Sequence, residues 1–135
     1  MYPENVGIDI GFSNEIAHEV YSGCDMLLMP SLYEPCGLSQ MISQRYGCVP
    51  LVREVGGLKD SVEPYNEYIK TGTGFSFMHY SGEDLRKVLY YASNIYFNKK
   101  DEWMGIVEQC MKKNNSWLKS ASEYLKVYKN LIKYK

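Results

Sequence analysis

The sequence predicts an α/β domain whose mostly parallel sheet of about four strands is followed by C-terminal helices. Two observations carry this. Over residues 1–80, short apolar runs alternate with amphipathic stretches and are separated by Gly, Pro and Ser turns. From Ser81 onward the apolar residues recur only at helical spacing. Residues 1–80 are therefore expected to form the core, and residues 81–135 a helical cover of the same domain.

Val6-Gly7-Ile8-Asp9-Ile10 alternates and stops at Gly11, the pattern of a short first strand. Ser13 or Asn14 can cap a helix bearing Ile16, Ala17 and Val20, which Gly23 ends. Met26-Leu27-Leu28-Met29 is apolar throughout and bounded by Pro30, as befits a strand covered on both faces. A helix from Ser39 to Tyr46 is closed by Gly47, and Cys48-Val49-Pro50-Leu51-Val52 is the third strand. Gly56-Gly57 opens a turn into a short helix near Leu58 to Val62, and Thr73-Gly74-Phe75-Ser76-Phe77 is a fourth, weaker strand. Ser81 with Asp84 resembles a capping box for a helix whose apolar face holds Leu85, Val88, Leu89, Ala92, Ile95 and Tyr96. A second late helix carries Trp103, Ile106, Val107, Cys110 and Met111. A third opens near Ser116, with Trp117, Ala121, Tyr124, Leu125, Tyr128, Leu131 and Ile132 at spacings of three and four.

At 135 residues the chain has room for one domain with a buried core. A net charge of -1 disfavours nucleic acid as a partner. The late positive charges, Lys112, Lys113, Lys119, Lys126, Lys129, Lys133 and Lys135, are expected on a solvated helix face. No run reaches the ~18 apolar residues of a membrane span, and no signal pattern stands at the N-terminus. Cys24, Cys36, Cys48 and Cys110 lack the spacing of a metal knuckle, and His18 and His79 are not spaced as ligands, so no metal is expected. Reduced thiols in a cytoplasmic protein are the simplest assignment. Cys24 and Cys48, beside apolar runs, are expected in or near the core.

The most informative stretch is Glu34-Pro35-Cys36-Gly37-Leu38-Ser39-Gln40. A carboxylate is followed by a tight turn and then by the start of a helix, whose free N–H groups attract phosphate. A ligand bearing both hydroxyls and phosphate, such as a sugar nucleotide, would engage both halves. The same residues would also serve as an ordinary strand-to-helix turn with a solvated Glu. In parallel sheets ligands bind beyond the carboxyl ends of the strands, where three turns are expected: 11–13, 31–39 and 54–58. Gly56 and Gly57 would let the backbone approach a ligand, or simply form a turn.

Taken in order, Gly11-Phe12, His18, Asp25, Met29-Pro30-Ser31, Glu34-Pro35-Cys36-Gly37-Leu38, Arg45-Tyr46-Gly47, Pro50, Val52-Arg53, Gly56-Gly57-Leu58-Lys59-Asp60, Thr73-Gly74-Phe75 and Ser116-Trp117 resemble the C-terminal part of bacterial glycogen synthases and plant starch synthases. The resemblance runs over nearly the whole chain. It implies a GT-B fold, in which two Rossmann-like domains close over the donor. The implied activity is retaining transfer of glucose from ADP-glucose to the non-reducing end of an α-1,4-glucan, with no cofactor. On this reading the chain is a partial Rossmann-like domain, and its residues 1–80 bind the nucleotide sugar. Glu34 is implied to bond the hydroxyls of the donor glucose. The backbone around Cys36, Gly37, Leu38 and Ser39 would face sugar and diphosphate, together with Gly56 and Gly57, and Phe12 would stack on adenine.

The chain also departs from wider GT-B patterns. Many relatives carry a second glutamate eight residues after the first, and here that position is Ile42. The resemblance further implies that the N-terminal domain, and the βα units holding the diphosphate cations, lie outside these residues. The segment by itself is then expected to be nearly inactive. An exposed strand edge is expected to promote self-association, or to be filled by residues 6–10. Two other readings remain open on the residues: a GT-B transferase with a different donor such as UDP-glucose, and a non-catalytic flavodoxin-like nucleotide-binding module.

Overall fold

Ser13 stands in extended backbone, and its Oγ accepts from the Ile16 N–H at 3.3 Å, opening α1 (Asn14–Gly23). This is the first regular element of the computed structural model, which describes residues 4–133. The chain then runs through β1 (Met26–Met29), α2 (Ser39–Tyr46), β2 (Val49–Arg53), α3 (Gly56–Ser61), β3 (Phe75–Phe77), α4 (Gly82–Asn98), α5 (Lys100–Lys112) and α6 (Trp117–Lys133). Gly47 closes α2 in the left-handed region at φ 80, where a side chain would be strained. Ser81 Oγ accepts from the Asp84 N–H and starts α4.

Among the described residues the sheet has three strands in the order β1-β2-β3, all parallel, with Leu28 opposite Leu51 and Leu51 opposite Phe75. β2 is central and buried along Val49, Pro50, Leu51 and Val52. Its residues alternate between two covered faces. Val49 and Leu51 join Phe75, Ala92, Ile95, Trp103 and Ile106 under α4 and α5. Val52 packs with Leu58 and Val62 on the α3 side. Phe75 stacks on Trp103, with ring centroids 6.2 Å apart. Burying a side chain of this size stabilises by about 1.5–3 kcal/mol; the separate Val52, Leu58 and Val62 cluster is what fixes the carboxyl end of β2 relative to α3.

The α/β class, the parallel sheet and the order of its central elements agree with the sequence expectation. One strand does not form. Residues 6–10 have no ladder partner among the described residues, and Val6, Ile8 and Ile10 are 60, 82 and 94% exposed. Alternation makes a strand only where a neighbouring strand supplies the hydrogen bonds, and none does so here. Residues 6–10 therefore do not fill the open edge of β1. Cys24 also corrects the expectation: it is exposed, whereas Cys48 is buried.

α6 has the expected periodicity, but its residues 117–132 are all exposed. α4 and α5 cover the sheet, and α6 stands clear of it. Lys135 of the basic stretch and residues 1–3 of the expected core lie outside the described residues. Among the described residues no helix is long and apolar enough to cross a membrane.

Candidate functional site

Two loops meet beyond the carboxyl ends of β1 and β2. The first follows β1 and leads into α2, and the second joins β2 to α3. Their backbones touch directly. The Gly57 N–H donates to Pro35 O at 3.2 Å, and a Cβ built on Gly57 would lie 1.9 Å from Cys36 O. One built on Gly56, whose φ is +45, would lie 2.1 Å from Glu34 O. No side chain fits between them. The two glycines thus have a packing role, drawing the second loop onto the first.

At the head of α2 the chain turns through Gly37 at φ +71 and reaches Leu38, which caps the helix with no side-chain hydrogen bond. Leu38 O accepts from both Met41 and Ile42 N–H. The N–H groups ahead of Met41 are therefore left for solvent or ligand, and the helix dipole makes this end attractive to an anion. Glu34 is partly buried, and no ion pair among the described residues engages it. Cys36 and Leu38 are exposed and Ser39 partly so. Phe12 precedes the α1 cap and is 93% exposed, apart from the contact between the two loops. The turn at 11–13 no longer follows a strand, so two of the three expected turns share the sheet end.

Arg53, at the end of β2, donates from Nη1 to Ser31 O (3.1 Å) and Leu32 O (2.8 Å). This braces the first loop from below. The site as a whole offers one uncommitted carboxylate and a row of main-chain donors on a rigid sheet end.

No family model matches the chain. It is 52% identical over 130 residues to the glycogen synthase of Clostridium botulinum (strain Alaska E43 / Type E3), a match that covers 96% of this chain and 27% of that protein. It is likewise 52% identical over 131 residues to the glycogen synthase of Caldicellulosiruptor bescii, covering 97% of this chain and 27% of that one. The catalytic domain of starch synthase IV from Arabidopsis thaliana, solved bound to ADP and acarbose, superposes with a TM-score of 0.81 at 34% identity. That superposition covers 90% of this chain and 25% of the other. The chain belongs to the glycogen synthase and starch synthase family. It spans about a quarter of the length of the glycogen synthases it matches.

This synthase segment also contains residues near the site that the sequence reading passed over. The inward face of α2 is polar: Gln40, Ser43 and Gln44 are fully buried, while Met41 and Ile42 are only partly so. Gln44 Nε2 donates to Ser61 O (3.2 Å) and Thr73 O (3.1 Å). A signal was present in the paired Ser39-Gln40 and Ser43-Gln44, which repeat at i, i+4 on one helix face. Such a face suits a surface of exposed carbonyls rather than an apolar one.

Lys113 departs from the expected solvated face. Its Nζ reaches Ser61 O and lies 3.5 Å from Thr73 Oγ1, and burial holds its pKa below the ordinary lysine value. It ties the end of α5 to α3. Lys113→Ala is expected to lower the unfolding free energy by about 1–2 kcal/mol, a value reduced for partial solvent screening. Urea unfolding with an unchanged denaturant slope checks this.

The thiols divide into two pairs. Burial, reinforced by Cys24 and Asp25, pushes Cys48 up to about 11, and burial pushes Cys110 up to about 12. Cys110 Sγ donates to Thr73 O at 3.3 Å. At pH 8 a thiol reagent is expected to label Cys24 and Cys36 in the native protein, and Cys48 and Cys110 only after denaturation. Peptide mass mapping before and after urea reads the outcome.

Proposed function

We propose that this chain is the donor-binding part of a retaining glucosyltransferase, one that moves glucose from ADP-glucose to the non-reducing end of an α-1,4-glucan in glycogen or starch synthesis. The observation that carries the reading is the uncommitted Glu34 carboxylate on the loop that leads to the head of α2, which no side chain caps, with that loop packed closely against Gly56 and Gly57. The carboxylate accepts hydrogen bonds from glucose hydroxyls. N–H groups of Gly37, Leu38 and Ser39, with the Cys36 backbone, face the sugar and diphosphate, where they bind charge without reorganising. Phe12 offers an uncovered ring for the adenine. The Arabidopsis neighbour, solved bound to ADP and acarbose, supports both a nucleotide donor and a saccharide partner.

In the transfer, an acceptor hydroxyl attacks the anomeric carbon as its bond to the diphosphate breaks. The hydroxyl proton passes to the departing phosphate oxygen and ADP leaves. The chain's own contribution is to hold the donor. Holding two reactants in line lowers a barrier by about 7–11 kcal/mol, so the segment without its acceptor side is nearly inactive. Within this reading residues 1–80 form the nucleotide-sugar core, and within residues 81–135 α4 and α5 are its helical cover. The protein works in the cytoplasm, needs no cofactor, and the open edge of β1 drives self-association of the isolated segment.

The test is calorimetric titration and transfer assay on an intact protein containing this segment. ADP-glucose is expected to bind at least tenfold tighter than UDP-glucose, a difference of about 1.4 kcal/mol. Equal affinity would favour a transferase with another donor. Binding of nucleotide without any transfer would favour a non-catalytic module.

A further inference from the structure

Gln40 is fully buried, and its amide links the first loop to Ser61 of α3. Nε2 donates toward Cys36 O at 3.2 Å, Gly37 O at 2.8 Å and Ser61 Oγ at 2.8 Å. Ser61 Oγ in turn donates to Gly57 O. The Gly57 N–H donates back to Pro35 O, which closes a ring of hydrogen bonds around the meeting point of the loops. Gln40 Oε1 faces Gly37, buried and without a partner among the described residues. A buried acceptor left unpaired is costly, and it persists here because three oxygens fix the other end of the amide.

We infer that Gln40 is a positioning residue for the donor. A peptide unit whose carbonyl is tied inward turns its N–H outward. By tying down the carbonyls of Cys36 and Gly37, Gln40 aims the N–H groups of Gly37 and Leu38 away from the core, and through Ser61 it sets the gap between the two loops. It touches no reacting atom. The inference rests on the reading of the 34–39 loop as the donor site.

Gln40→Met keeps the volume and removes the donors. In the intact protein it is expected to raise KM for ADP-glucose about tenfold while KM for the glucan stays within about twofold, a split that general destabilisation would not produce. Ser61→Ala should move the same constant by about threefold. Gln40→Glu places a carboxyl among three oxygens, where only its protonated form can donate. Its donor KM should fall as pH is lowered from about 8 to 6, a range over which wild type is flat. Amide exchange in Gln40→Met should quicken at Gly37, Leu38, Ser39 and Gly57 and stay unchanged in β2. A donor KM within about twofold of wild type in Gln40→Met, or a wild-type pH profile in Gln40→Glu, overturns the inference. Should Gln40→Met fail to fold, Gln40→Glu and Ser61→Ala decide it by the same constants. If wild type does not use ADP-glucose, the donor reading fails separately. Amide exchange then decides alone: loosened loops support the positioning role, and unchanged loops overturn it.

Discussion

Glu34→Ala in an intact protein carrying this segment is expected to lower kcat/KM for ADP-glucose by two to four orders of magnitude. The estimate follows from the chemistry. A hydrogen bond to a charged group is worth about 1.5–3 kcal/mol, and two such bonds to glucose hydroxyls give roughly 3–6 kcal/mol. Each 1.36 kcal/mol corresponds to about a factor of ten. Stability should barely change, because Glu34 is partly exposed and pairs with no cation among the described residues. Glu34→Gln keeps an acceptor and should recover part of the loss. Steady-state kinetics with a melting curve on each variant separates the two quantities. Activity within a fewfold of wild type would remove Glu34 from the site.

Gly57→Ala is expected to damage folding and binding together. The new Cβ would sit 1.9 Å from Cys36 O, and the clash is with backbone, which cannot swing aside as a side chain can. The loops must separate, and the bond from Gly57 N–H to Pro35 O goes with them. Overpacking costs about 1–3 kcal/mol and the lost bond about 0.5–1.5 kcal/mol, so a destabilisation of roughly 2–4 kcal/mol is expected. Donor affinity should fall as well, since the first loop loses its brace. Gly82→Ala is the control: nothing lies within 4 Å of its Cβ. A Gly57→Ala protein with wild-type unfolding and donor affinity would show that the loop contact is not required.

What could be read from the residues was local chemistry. Ser13, Ser81 and Gly47 signal their helix boundaries because a hydroxyl or a left-handed glycine solves a backbone problem within one turn. The parallel order of β1, β2 and β3 follows from apolar runs separated by helices. What depended on distant partners was not legible. Val6, Ile8 and Ile10 have the spacing of a strand but no neighbour to pair with among the described residues. Cys24 and Cys48 stand beside similar apolar runs, yet only the second is buried.

The candidate site divides in the same way. The Glu34-to-Ser39 motif is contiguous and was visible as a motif, and the structure places it against Gly56 and Gly57. Its support was hidden, because Gln40, Gln44 and Lys113 are residue types usually found in water. They are drawn inward here by the free carbonyls of Cys36, Gly37, Ser61 and Thr73. A polar helix face reads as surface until the carbonyls opposite it are known.

The most direct measurement is a crystal structure of the intact protein soaked with ADP-glucose. The glucose hydroxyls should lie within hydrogen-bond distance of the Glu34 carboxylate, with the diphosphate against the N–H groups at the head of α2. Nucleotide bound elsewhere, with Glu34 and the α2 head facing only solvent, would contradict the account.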